Sequence, residues 1–136
     1  MQYFKLAVID DDPQYLKVIS DFLRDYKPDL YDDPTKLKQS DYSVYDLIVI
    51  DHNINGLDWR KLYNELKSGT TAHFMVIATF DQEYYDKIKQ PLLTSDTLKD
   101  PRIMGVLQKY DHKKIKLWVE FQIMRLESLY LAKKTM

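Results

Sequence analysis

At 136 residues, with 45% hydrophobic and 30% charged side chains, the chain is long enough for one buried core and has the composition of a folded domain. Its net charge of −1 argues against a nucleic-acid partner, and the lack of cysteine excludes a disulfide scaffold, a thiolate zinc site and a cysteine nucleophile. No stretch approaches the roughly 18 apolar residues of a membrane span, and Met1 leads directly into a strand-like run, so a cytoplasmic protein with no membrane contact is expected.

Lys5 to Ile9 reads as a first buried strand, and it ends in Asp10-Asp11-Asp12. Asp12-Pro13 supplies an N-cap and a proline for the first helical turn. Leu16, Ile19, Leu23 and Tyr26 then recur at three and four residues, which predicts a helix to about Tyr26, stopped by Lys27-Pro28. Asp29 to Asp32 is a short candidate strand, and Asp33-Pro34 a possible start for a short helix through Lys38. Asp46-Leu47-Ile48-Val49-Ile50-Asp51 is a second strong strand, β-branched, apolar on both faces and closed by a carboxylate. Asn55-Gly56 marks a turn. A helix follows from Asp58 to Ser68-Gly69, then a third buried strand from Phe74 to Thr79. A helix from about Gln82 to Lys89 precedes a long irregular connection, Gln90 to Pro101. Ile103 to Leu107 reads as a last strand ending near Lys109, and a helix runs from about Asp111 to Lys134.

Strand and helix alternate about five times. That order predicts an α/β fold: a doubly wound, five-stranded parallel sheet with helices on both faces and a long C-terminal helix, all in one domain spanning 1–136. In such sheets ligands collect beyond the carboxyl ends of the strands. Asp10, Asp11, Asp51, Thr79 and Lys109 all fall there. Carboxylates gathered on one rim repel one another and call for a hard cation such as Mg²⁺, with oxygen ligands. A charge-neutralised Asp51 is then a nucleophile for phosphorus, with Lys109 and the Thr79 hydroxyl beside the transferred oxygens. Singly, each residue has a plainer reading: Asp12 as a helix cap, Lys109 as a solvated end residue, Thr79 as a strand residue.

Together the motifs resemble the receiver domain of two-component response regulators, across nearly the whole chain. Val8-Ile9-Asp10-Asp11-Asp12-Pro13 resembles that family's acidic start, Asp46 to Asp51 its phosphoacceptor strand, Gly56-Leu57-Asp58 the following turn and Val106-Leu107-Gln108-Lys109 its lysine strand. The resemblance implies a flavodoxin-like receiver fold and Mg²⁺ held by Asp11 and Asp51 directly, by Asp10 through water and by the backbone carbonyl of Asn53. It also implies phosphoryl transfer to Asp51 from a histidine kinase or histidine phosphotransfer protein. Such a module signals by binding an unknown downstream protein and is not a conventional enzyme.

The chain departs from that family's pattern in several places. Asn55 stands where a proline is usual, Trp59 where a glycine is usual, Tyr110 where a proline, often cis, is usual, and Val106 where an aromatic is usual. Thr79 precedes Phe80 rather than a small residue, unless the alignment slips by one and Ala78 takes the threonine place. These departures suggest an altered relay from site to surface, and Phe80 over the site would slow water attack on an acyl phosphate. They also motivate an alternative function, a receiver-fold docking module without phosphotransfer. Asp10-Asp11-Asp12 meets the Asp-x-Asp start of haloacid-dehalogenase-like phosphatases as well, but without the Gly-Thr that usually follows. Finally, a helix over 112–134 would be about 35 Å long. Ile115, Trp118, Val119 and Gln122 are placed to meet the sheet. Leu117, Phe121, Met124, Leu126, Leu129, Tyr130 and Leu131 are a surplus that suggests a partner surface, for another copy in a homodimer or for a target.

Overall fold

The computed structural model describes residues 4–33, 36, 44–51, 64, 65, 68, 72–78 and 103–134. Five strands form one sheet: β1 (Leu6–Ile9), β2 (Asp29–Tyr31), β3 (Leu47–Asp51), β4 (His73–Ala78) and β5 (Ile103–Gln108). Their order is β2-β1-β3-β4-β5 and every pairing is parallel. The expected α/β class, parallel five-stranded sheet and long final helix are therefore present. The short strand at Asp29 is real, and it is the edge of the sheet beside β1.

Every residue of β1 and β3 is buried, as apolar runs without alternation require. Leu6, Val8, Leu47 and Val49 share a core with Tyr15, Leu16 and Ile19 from the first helix, Leu23 at its C-terminal cap, and Ile115, Val119 and Ile123 from the final helix. Ala7, Ile9, Ile48 and Ile50 point to the opposite face and are equally buried, so β1 and β3 are covered on both sides. At the amino end of the sheet Asp46 Oδ2 accepts from the Lys5 N–H at 2.8 Å, and the Asp46 N–H donates to the Lys5 carbonyl at 2.9 Å. These bonds fix the register in which Ile9 lies beside Ile50.

Helix α1 (Pro13–Phe22) begins as its sequence dictates. Asp12 is extended, and its carboxylate accepts from the Gln14 N–H at 3.0 Å, with Pro13 in the first turn. The α-helix ends earlier than the periodicity suggests. After Phe22 the hydrogen bonding tightens to a 3₁₀ turn over Arg24–Tyr26, and Lys27 takes a left-handed conformation with φ 46°. Pro28 explains the stop, since it disfavours right-handed helical geometry at the residue before it. Tyr26 still packs against the core from that turn.

The final helix spans His112–Lys134, 23 residues. Ile115, Val119, Gln122 and Ile123 are buried, and Trp118 is partly buried against the core. Leu126, expected in the surplus, instead packs partly against that core, because it follows Ile115, Val119 and Ile123 around the same face. Asn64, Glu65 and Ser68 are helical, within the helix expected from Asp58. The helix expected at Gln82 to Lys89, the connection Gln90 to Pro101 and most of the Asp33 to Lys38 segment lie outside the described residues.

Candidate functional site

The strand order reverses between β2 and β3, which lie on opposite sides of β1. A crevice outside the carboxyl ends of the strands forms at such a point. Because Ile9 and Ile50 are partners in register, Asp10 and Asp51 emerge side by side there. The Asp10 N–H is held by the Tyr31 carbonyl at 3.0 Å, which fixes the strand end. Lys109, one residue past β5, reaches the same place from the other side of β4.

The three side chains are buried, with Asp10 1%, Asp51 4% and Lys109 7% exposed. The Lys109 ammonium lies 3.0 Å from Asp10 Oδ2 and 3.0 Å from Asp51 Oδ2, and donates to Asp10 Oδ1 at 3.3 Å. Asp10 Oδ1 also accepts from the Asp12 N–H at 2.9 Å. Asp11 sits nearer solvent, and one carboxylate oxygen from each of Asp10, Asp11 and Asp51 falls within a 4.8 Å cluster.

Burial, followed by the Asp51 charge, raises the Asp10 carboxyl to about 6, against the opposing pull of the Asp12 N–H and the Lys109 ammonium. For Lys109, burial acts to lower the pKa, but the hydrogen bonds and charges of Asp51 and Asp10 outweigh it and leave the ammonium favoured. One ammonium against three carboxylates leaves the pocket negative.

A divalent cation fits this donor set. Asp10 Oδ2 is buried and, although close to Lys109, lacks a hydrogen bond in good geometry among the described residues. A hard acceptor oxygen left over in a cluster of three carboxylates suits an oxygen-seeking ion of the Mg²⁺ type.

Thus the structure brings Asp10, Asp11, Asp51 and Lys109 to one place. Thr79 and Asn53 lie outside the described residues, as do Trp59, Phe80 and Asn55. Val106 pairs with Val76 in the β4–β5 ladder. The Lys109–Tyr110 peptide is trans, as the replacement of proline leads one to expect.

One residue of the site escapes the sequence reading. Tyr15, in the first turn of α1, donates its hydroxyl to the Lys109 carbonyl at 2.7 Å. Its ring centroid is 4.7 Å from the Lys109 ammonium. Burial, then the charges of Asp10 and Asp51, raise its pKa above the usual phenol range, so it remains a donor. Its ring meets Tyr110 edge-on at 6.1 Å and His112 at 5.6 Å, and His112 stacks on Phe22 at 5.1 Å. The available signal was spacing: Tyr15 precedes Ile19 by one helical turn and so shares its inward face, with a polar tip that needs a partner when buried.

A parallel sheet in this order is the fold of solved response-regulator receiver domains. Solved structures agree. A receiver domain from Clostridium thermocellum superposes with a TM-score of 0.68 at 16% identity, covering 93% of this chain and 98% of that one. A two-component response regulator from Clostridium difficile gives 0.66 at 17% identity, covering 90% and 96%. The DrrB receiver domain activated by BeF3 gives 0.65 at 16% identity, covering 90% and 97%. At these identities the likeness is one of fold. No family model matches the sequence, and no curated protein matches it.

Proposed function

We propose that the chain is a receiver module that accepts a phosphoryl group on Asp51. The observation that carries this reading is the convergence of Asp10, Asp11 and Asp51 at the carboxyl rim of the sheet, two of them, Asp10 and Asp51, paired with the buried Lys109 ammonium. Asp51 attacks phosphorus in line while the bond from phosphorus to a donor histidine nitrogen breaks, leaving an acyl phosphate and a free imidazole. The donor is a histidine kinase or a histidine phosphotransfer protein. Lys109, held beside Asp51, offers positive charge to the incoming phosphoryl oxygens. Asp10, Asp11, Asp51 and the Asn53 carbonyl would hold Mg²⁺, which when bound supplies charge neutralisation to nucleophile and phosphate alike. Thr79 offers its hydroxyl to the new phosphate. Output follows from binding a downstream protein rather than from catalysis on a separate substrate. No helix among the described residues is long and apolar enough to cross a membrane.

Incubation with acetyl phosphate and Mg²⁺, followed by intact mass measurement, tests the proposal. The wild type gains one phosphoryl group and Asp51→Asn gains none. Equal labelling of both overturns Asp51 as the acceptor, and no labelling of a folded wild type overturns phosphotransfer and favours the docking module without it.

A further inference from the structure

The final helix is apolar on two sides, and the sheet uses only one. Ile115, Val119, Gln122 and Ile123 fill the inner side. On the outer side Leu117, Phe121, Met124 and Leu131 are each at least 60% exposed, and Ser128 completes their row. Two residues along a helix turn it by about 200°. Leu117 and Phe121 flank Val119 in sequence, so their row lies opposite the buried face.

The spacing of that row admits a second helix. Positions 117, 121, 124, 128 and 131 step by four, three, four and three. That is a period of 3.5 over two heptads, which a seam between paired helices requires and which the sheet-facing Ile115, Val119, Gln122 and Leu126 share. Ser128 adds no unsatisfied donor to such a seam, because its hydroxyl already donates to the Met124 carbonyl at 2.9 Å. It is the single polar position of the row.

The flanking charges choose the partner and the direction. With Leu117, Met124 and Leu131 at d, and Phe121 and Ser128 at a, Glu120 falls at g and Arg125 at the following e. In a parallel pair of identical helices, Glu120 of one copy faces Arg125 of the other, twice by symmetry. In the antiparallel alignment centred on Met124, Glu120 instead faces Glu127 of the second copy. We propose that the outer face of the final helix binds the same face of a second copy of this chain, as a short parallel two-stranded coiled coil.

Sedimentation velocity of the full chain across a concentration series tests this. The wild type shifts from monomer to dimer, while Phe121→Glu and Met124→Glu stay monomeric with unchanged far-UV circular dichroism. The absence of native cysteine makes a second, directional readout available. Under mild oxidation Leu117→Cys links to itself in a parallel pair. In an equimolar mixture of Leu117→Cys and Leu131→Cys, an antiparallel pair instead yields mainly the mixed disulfide. A wild type that is monomeric throughout, a trimer, a dimer that survives Phe121→Glu, or predominance of the mixed disulfide each overturns the proposal.

Discussion

At the ends of β1 and β3 two carboxylates and an ammonium lie beneath the surface, while along the outer side of the final helix large apolar side chains lie above it. Each region inverts the usual distribution of polar and apolar groups, and each does so where the sheet does not need it. Buried ion groups contribute little to folding, because the loss of hydration offsets most of their mutual attraction. The exposed row likewise gains nothing from the domain's own core. The contrast teaches that the rim is arranged to bind charge and the helix face to bind apolar surface, with the core between them supplying the stability both lack.

Removing Lys109 breaks the comparison most severely. Lys109→Ala leaves Asp10 and Asp51 buried without their cation, an expected loss of about 3–5 kcal/mol in urea unfolding without Mg²⁺. The triple replacement Asp10→Asn, Asp51→Asn and Lys109→Met removes the charges together and is expected to be neutral or to gain about 1–4 kcal/mol. A triple variant less stable than Lys109→Ala would falsify the view that the cluster serves binding rather than folding. On the final helix two adjacent residues give the matching test. Ile123→Ala is expected to cost about 2–5 kcal/mol, because it empties a packed core position. Met124→Ala, measured at concentrations that keep the chain monomeric, should stay within about 0.5 kcal/mol.

Legibility in the sequence followed the same division. The strands that are apolar on both faces announced themselves, since Val8, Ile9, Ile48 and Val49 leave no polar side to mistake for solvent. The acidic ends were legible because a carboxylate that closes such a run must lie at a rim. Asp12-Pro13 fixed the start of α1 to the residue. Its end was less clear, because periodicity continued through Leu23 and Tyr26 while Pro28 acted on Lys27 and forced a tighter turn. Leu126 was misplaced for a related reason: the covered face of a helix is wider than a narrow stripe, and the sequence does not state how far the core reaches. Tyr15 was missed because an aromatic on an inward face reads as packing, and its partner, a backbone carbonyl 94 residues away, leaves no mark on local spacing.

The pH dependence sharpens the rim further. In the folded chain burial holds the Asp10 carboxyl near 6 rather than its ordinary 3.8. The folded state therefore keeps a proton that the unfolded chain releases first. Stability from this group is greatest below the lower value and is lost as pH rises through the higher one. Without Mg²⁺, urea unfolding should show declining stability between about pH 4 and 6, and Asp10→Asn should flatten that decline. Mg²⁺ favours the ionised carboxylate and should oppose it. A wild-type profile that rises across this window without Mg²⁺ would count against burial as the dominant influence on Asp10.

A subtler change at the rim concerns the residue that joins it to the helices. Tyr15→Phe keeps the ring that faces the Lys109 ammonium and removes only the hydroxyl that holds the Lys109 carbonyl. One neutral hydrogen bond of this kind contributes about 0.5–1.5 kcal/mol, so the loss of stability should be modest. The Lys109 backbone would then be anchored by fewer contacts, and its ammonium less well aimed at Asp51. Labelling of Asp51 by acetyl phosphate should slow accordingly, with Mg²⁺ affinity unchanged, since Tyr15 offers nothing to the cation. Tyr15→Ala takes away the ring too and should cost about 3–5 kcal/mol. If Tyr15→Phe leaves both stability and labelling rate at wild-type values, the hydroxyl is incidental, and the ring alone accounts for the contact between α1 and the lysine.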